Sequence, residues 1–487
     1  MSAELVPSVI DVGRTDIFHN RSPWSILSRR PVPTHTDHAA DVEPEEDDPE
    51  LLLPKRSSLV IVLLENALLQ VSFFIIVSSS NLYAEYLGGS ATFSGLVIGI
   101  PTVFSGLALI PLTRMDKGSY SLPLNVACCT AILGNIMYAL AYRAHFLYLI
   151  LIGRIVCGFA FTGFMYSKRY CSDPRIVGVR RRTTLAGWNV VCQGFGFTAG
   201  PFIGGLLYKI GFPNSIFNGY TSPAWVMAGA FAIFWAVSYF MFEDVQTARP
   251  TPSIPLAPIR PSSPSESASI SPPSHRSTSI LPVSHEMDAD FHLSGRQLGV
   301  VVCMCWYAMT CFFILGGWEA NIPVFTSFAF KWSPFAAGNF IALGGVTAFP
   351  FLFMNIYFAR RVQDRQTLAI GSSLGLSGLL IMLALLRSDT VNFGSLYVCW
   401  FLVALGFNLA STVTLSLLAK QLPGHWNGRI SLIIQYSNYL GRVTGAVWGG
   451  AGVHVGMMNY VGLQIAIVGV GALMHMTLWT ELKAKTG

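Results

Sequence analysis

The sequence predicts an all-α membrane protein with twelve transmembrane helices in two pseudo-symmetric six-helix halves. Three observations carry that expectation. The 487-residue chain is 52% hydrophobic and only 11% charged, where soluble domains carry about 25% charge. Twelve segments are apolar enough, and near the ~20 residues that a bilayer span requires. A polar stretch rich in proline and serine divides those segments six and six.

In chain order the spans fall at 58–84, 92–113, 122–142, 146–167, 186–207, 223–242, 297–321, 334–359, 367–387, 394–418, 429–450 and 460–480. Residues 1–57 are a polar tail with an acidic run from Glu43 to Glu50, and no apolar core near Met1 marks a cleavable signal. The linker, 243–296, holds nine prolines and ten serines between Pro250 and Pro282. Such a composition cannot bury a core, so disorder is expected. The N-terminal half is thus 58–242, the C-terminal half 297–480, and 481–487 form a short tail.

Basic residues set the expected orientation. With the N-terminus in the cytosol and residues at span edges assigned to the adjoining loop, outer loops contain only Arg143, Lys209, Lys331 and Arg387, and span interiors contain Arg154 and Arg442. The other 25 of the 31 Lys and Arg fall on the cytoplasmic side, the bias that fixes topology. Both termini and the linker are expected there. The net charge of +6 is then an inner-surface charge, and no nucleic-acid partner is implied. The nine cysteines, Cys171 alone lying outside a span, are read as small packing residues.

The halves look like copies. "GFTAGPFIGG" (Gly196–Gly205) is matched 245 residues later by "GRVTGAVWGG" (Gly441–Gly450), with Ala446 in place of the proline. Asp116–Lys117 follows the second span and Asp364–Arg365 the eighth, 248 residues on. Glu65 in span one is answered by Glu319 in span seven. Parallel repeats of this kind, with a solute site near the midplane between them, describe a rocking transporter.

Span five is built from residues that weaken helices in water. In lipid the hydrophobic effect does not draw helices together, and close packing depends on small residues. Gly196, Gly200 and Gly204 fall at i, i+4 and i+8 on one helix face, with Gly187 below them. Pro201 removes one donor and can bend the helix, which membrane helices tolerate.

The spacing Gly187-x8-Gly196-x3-Gly200-Pro201-x2-Gly204-Gly205 resembles in full the fifth-helix motif of the major facilitator superfamily associated with its antiporters. "GRIVCG" (Gly153–Gly158) is similar to that superfamily's fourth-helix R-x-x-Q-G motif, with Cys157 in place of glutamine. "TRMDKGSYS" (Thr113–Ser121) keeps only Asp116 and Lys117 of the loop motif. That departure puts the usual charge-relay gate in doubt. "SKRYCSDPRIVGVRRRTT" (Ser167–Thr184) and "FNGYTSPAWVMA" (Phe217–Ala228) look like the branch holding lysosomal ceroid-lipofuscinosis-type facilitators and vacuolar SPX-domain transporters. No SPX domain precedes span one, so phosphate is not implied.

Ionisable residues in spans are costly and face protein or water. Glu65, next to Asn66 and one turn from Gln70, either binds a proton or substrate or makes a structural hydrogen bond. Glu319, in "GGWEANIP", adjoins Gly316, Gly317 and Pro323, where a broken helix would open it to a cavity. It is the preferred proton-coupling residue. Arg154 meets either a proton-linked carboxylate, an anion or a structural partner. Arg442 meets an anionic substrate or a helix-packing partner. Asn189 and Gln193, below the kink, are expected to line the cavity with Trp188. Asp116, Lys117, Asp364 and Arg365 are the expected cytoplasmic gate.

No HExxH motif and no paired intramembrane aspartates occur, so an enzyme, a metal site or a cofactor is not expected. The expected function is secondary active transport by alternating access: export of a small organic metabolite or organic anion in exchange for protons. The alternative is an uncoupled facilitator or anion channel of the same fold in a vacuolar or lysosomal membrane. Asp47-x3-Leu51-Leu52 has the form of a sorting signal read by adaptors. The expected membrane is the plasma membrane or, through that signal, a vacuolar or lysosomal one.

Overall fold

The computed structural model describes residues 51–115, 118–173, 175–245, 294–358, 362–419 and 427–483. Those residues form α1 (Arg56–Phe74), α2 (Ser80–Tyr86), α3 (Ala91–Met115), α4 (Ser121–Ala144), α5 (Leu147–Ala160), α6 (Gly163–Tyr170), α7 (Val179–Ile210) and α8 (Ser222–Met241). After the linker come α9 (Gly295–Phe330), α10 (Pro334–Phe358), α11 (Asp364–Arg387), α12 (Phe393–Ala419), α13 (Asn427–Val455) and α14 (Met457–Thr477). A bilayer offers no water to backbone amides, so apolar segments of this length close their own hydrogen bonds as helices. Eleven spans among the described residues are long and apolar enough to cross a membrane, α5 and α6 together counting as one. The span expected at 429–450 coincides with α13, which has 29 residues but is not among the eleven. Its six glycines and two arginines dilute its hydropathy.

Helix interruptions fall where the sequence did not point. Span seven was expected to break around Gly316, Gly317 and Pro323, yet α9 runs unbroken through them for 36 residues. Its start is fixed by a capping box, in which Ser294 Oγ accepts from Gln297 N and Gln297 Oε1 accepts from Ser294 N. Span one is the interrupted one: α1 stops at Phe74 and α2 begins at Ser80. The intervening "IIVSS" precedes a third serine, Ser80, whose hydroxyl accepts from Ser94 Oγ at 2.9 Å. Span four is divided at Phe161–Thr162.

Glycine seams set the packing. Added Cβ atoms at Gly441, Gly445 and Gly449 of α13 would overlap the carbonyl oxygens of Met309, Phe313 and Gly317, so α13 lies backbone to backbone along α9. The helices before and after the linker meet along two further seams. Gly95 and Gly450 bring α3 against α13, and Gly338 brings α10 against Pro201 of α7. Those contacts, near the starts of α3 and α10, are between backbones. Farther along, Gly106 meets the rings of Tyr436 and Tyr439, and Gly194 meets the ring of Phe349. The helices thus converge at one end of the bundle and are held apart by aromatic side chains toward the other.

That wider end carries the ends of the described chain. Lys55 pairs with Glu243, and Arg296 with Glu481 at 3.0 Å. Asp244 accepts from the amides of Tyr120 and Ser121 at 2.8 and 3.1 Å, anchoring the start of α4. The Tyr120 hydroxyl donates to Asp173 at 2.7 Å, and Arg175 grips the same carboxylate from Nη2 at 2.6 Å while donating to Gly118 O at 2.9 Å. Burial pushes the Asp173 carboxyl up, but bonds from Arg175 and Tyr120 outweigh it and hold the group down to about 2. A depressed value stabilises the fold above the unfolded carboxylate range near 3.9 and is lost as pH falls through the folded value. Melting temperature in detergent is therefore expected to fall from about pH 4 toward pH 2. Asp173→Asn should melt lower at pH 7 and lack that part of the decline.

Candidate functional site

The α9–α13 seam places two ionisable side chains together in the interior. Glu319 is 1% exposed and Arg442 is 9% exposed, and Arg442 Nη2 donates to Glu319 Oε2 in an ion pair. Each was singled out from sequence; their pairing follows from the glycines at 441 and 445, which let α13 approach closely enough. Gly316 and Gly317 serve the same contact, since a Cβ at Gly316 would stand 2.9 Å from Arg442 O. A buried ion pair needs close geometry to offset desolvation. Here the guanidinium has a second partner: its Cζ lies 4.8 Å from the ring centroid of Phe73 and 5.1 Å from that of Phe74, both on α1. Arg442 therefore reaches from the helices after the linker to those before it. Phe73 and Phe74 carry no sequence signal, being two aromatics in an apolar run.

Of the partners the sequence left open for Arg154, the structure supplies structural ones, and they are backbone carbonyls. Its guanidinium donates from Nε to Val97 O and from Nη1 to Ser72 O, both at 3.3 Å, and from Nη2 to Phe73 O at 3.5 Å. The last carbonyls of a helix lack intrahelical donors, and in lipid that lack is costly. Arg154, 1% exposed, fills it at the end of α1. It is a structural cap for the interruption in span one.

Glu65, 4% exposed, lies apart from both arginine sites. A Cβ on Gly163 would stand 2.8 Å from its Oε1, which has no hydrogen-bond partner among the described residues. It faces a small cavity lined by Val62, Tyr120, Leu124, Tyr166, Ser167 and Phe242. Asn66, the next residue, belongs to another cluster: its Nδ2 donates to Asn189 O at 2.9 Å, and Gln193 Nε2 donates to its Oδ1 at 3.5 Å. Asn189 and Gln193 are thus joined to α1, with Asn189 3% exposed.

The motif glycines of α7 are unequal. A Cβ at Gly204 would overlap Ile75 O in the interrupted stretch of span one. At Gly200 it would stand 2.6 Å from Phe74 Cβ, and at Gly196 2.5 Å from Gln70 Cβ. Gly205 faces Phe335 and Pro334 at 3.0 Å, and Pro201 O meets Gly338 of α10. Gly187 has nothing within 4 Å of an added Cβ. One face of α7 therefore packs on α1 and another on α10.

Of the expected gate, Asp116 and Lys117 lie outside the described residues. Asp364 accepts from Ser416 Oγ at 2.7 Å, while Arg365 donates to Trp479 O at 2.9 Å and stacks 4.6 Å above the Trp479 ring. Both connect helices that follow the linker. Leu51 and Leu52 are 41% and 40% exposed, but Leu52 O accepts from Gly178 N at 2.9 Å, tying this stretch to the start of α7. Among the described residues no group of three or more His, Cys, Asp and Glu could hold a metal.

Eleven helices of membrane-spanning length among the described residues define a polytopic membrane protein. The Major Facilitator Superfamily family model matches residues 63–446, and the chain belongs to that superfamily. An MFS-type transporter of Schizosaccharomyces pombe is 31% identical over 456 residues, covering 92% of this chain and 86% of the relative. An SPX domain-containing membrane protein of Arabidopsis thaliana is 26% identical over 463 residues, covering 89% and 65%. Among solved structures, a D-xylose-proton symporter matches with a TM-score of 0.64 at 14% identity, over 88% of this chain and 99% of that one. A bacterial homolog of the human lysosomal transporter Spinster matches with 0.61 at 10% identity, over 86% and 95%. At such identities these structures share the fold. The chain is a multi-pass membrane protein of a transporter family, as the fifth-helix motif implied.

Proposed function

We propose that this chain is a secondary active transporter that exports a small organic solute from the cytosol in exchange for protons. Its two six-helix halves, 58–242 and 297–480, would rock about the Glu319–Arg442 pair. The observation that carries this reading is the pair itself: an ion pair in the interior whose guanidinium also rests on rings from the helices across the linker. Matched seams support the two-half arrangement, since α7 lies on α1 through Gly196, Gly200 and Gly204 as α13 lies on α9 through Gly441, Gly445 and Gly449. Convergence at one end of the bundle is what a carrier closed on that side requires.

Charge balance gives the coupling. With Glu319 ionised, the pair is neutral and the carrier moves loaded with solute. With Glu319 protonated, Arg442 keeps the Phe73 and Phe74 rings as partners, and the carrier returns with its proton. One observation favours a second reading for anionic solutes: Arg442 is already occupied by Glu319. An organic anion would reach it only after Glu319 is protonated, so anion and proton would travel together.

The substrate would be found by comparing metabolites in deletion and overexpression strains. Glu319→Gln then tests the coupling, because it holds the side chain neutral at nearly constant volume. It is expected to support exchange of labelled for unlabelled substrate but to lose accumulation driven by a pH gradient. Undiminished accumulation with wild-type pH dependence would remove Glu319 from the mechanism. Delivery to a vacuolar or lysosomal membrane through sorting adaptors rests on Leu51 and Leu52. A Leu51→Ala/Leu52→Ala variant that keeps its location on imaging excludes that motif.

A further inference from the structure

Phe73 stands between two buried guanidiniums that belong to different parts of the chain. Its ring centroid lies 5.7 Å from Arg154 Cζ and 4.8 Å from Arg442 Cζ, both within the ~6 Å reach of a cation–π contact. The Phe74 ring meets it edge-on at 5.0 Å and lies 5.1 Å from Arg442 Cζ. The two arginines hold different things. Arg442 holds the Glu319 carboxylate, and Arg154 holds the backbone carbonyls of Ser72 and of Phe73 itself. Phe73 is thus joined to one arginine through its ring and to the other through ring and backbone. The helix stops one residue later.

We propose that Phe73 and Phe74 are positioning residues that carry the charge state of the Glu319–Arg442 pair into the interrupted stretch Ile75–Ser79 of the first span. This rests on the reading of Glu319 as the group that gains and loses the proton. While the carboxylate is ionised, Arg442 is shared between it and the two rings. Once the carboxylate is neutral, the ring faces are the strongest partners left to a buried cation, and the pull on them rises. Phe73 cannot follow that pull as a free side chain. It is 4% exposed, and its carbonyl is bound by Arg154, so the displacement passes to the end of α1.

The next contacts lead onward to α7. Phe74 packs edge-on against Phe197 at 4.9 Å, and its Cβ is the nearest atom that a side chain at Gly200 would meet. Ile75 O then fits the notch left by Gly204. A change in Arg442 thereby reaches the helix that packs on α10 across the linker. The same glycines that allow the seam make it sensitive to the position of Ile75.

Hydrogen exchange by mass spectrometry on the full-length protein in nanodiscs reads this directly, without any substrate. The expected result is that Glu319→Gln changes exchange of the amides at 75–79 several-fold. In a Phe73→Leu background the same change should shrink below about twofold, and in Phe73→Tyr, which keeps the π face, it should return. Phe73→Met supplies a second non-aromatic variant should the leucine protein not fold. The proposal is overturned if Glu319→Gln leaves 75–79 unchanged, or if it acts equally in the leucine or methionine background. Either result can stand beside a Glu319→Gln variant that has lost proton-driven accumulation, so the coupling role of Glu319 is judged separately.

Discussion

Glu319→Ala is expected to melt at a lower temperature than Arg442→Ala, and both are expected to abolish proton-driven transport. The asymmetry follows from the chemistry of the two groups. A guanidinium cannot be deprotonated in a protein, so removing Glu319 leaves a buried cation with only aromatic partners. Breaking a buried pair in this way costs about 3–5 kcal/mol. A carboxylate deprived of its arginine can instead take up a proton and become neutral, so Arg442→Ala should cost less. The double variant removes both charges and should recover much of the stability lost in Glu319→Ala, while transport stays absent. Thermal unfolding of the three proteins in one detergent checks this. Equal melting of the two single variants, without recovery in the double, would mean that the pair is not a coupled unit.

Gly204→Ala is expected to abolish transport, whereas Gly187→Ala leaves it within about twofold of wild type. The fifth-helix motif treats these glycines alike, but the packing does not. A methyl group at 204 would overlap Ile75 O, which is backbone and cannot rotate away, while one at 187 meets nothing within 4 Å. In lipid, helix association depends on close approach, so the 204 variant must separate α7 from the interrupted stretch of α1. Gly200→Ala is expected to fall between them, because its nearest neighbour is Phe74 Cβ at 2.6 Å. Uptake normalised to the protein inserted in the membrane distinguishes loss of transport from loss of expression. Full activity in Gly204→Ala would show that the seam loosens without consequence.

The spans were legible because lipid forces apolar segments to satisfy their own backbone, and the sequence marks them by composition alone. The interruptions were not legible. Gly316, Gly317 and Pro323 look like breakers by their propensity in water, yet the two glycines are contact surface for α13 and α14 and the helix continues through Pro323. The actual break follows Phe74, in an apolar run marked only by serines. The role of Arg154 was hidden for the same reason, since its ligands are carbonyls that exist only because α1 stops there. Glu319 and Arg442 were each visible as charges in spans. Their partnership, across 123 residues, depends on how α13 lies along α9.

The central claim is that solute leaves against protons through Glu319. It is tested most directly in proteoliposomes containing the purified chain, a trapped pH-sensitive dye and the substrate. The expected result is that an imposed outward substrate gradient drives proton movement in the opposite direction, and that Glu319→Gln moves substrate by exchange with no accompanying proton flux. Protons moving with the substrate, or a Glu319→Gln variant that moves as many protons as the wild type, would contradict it.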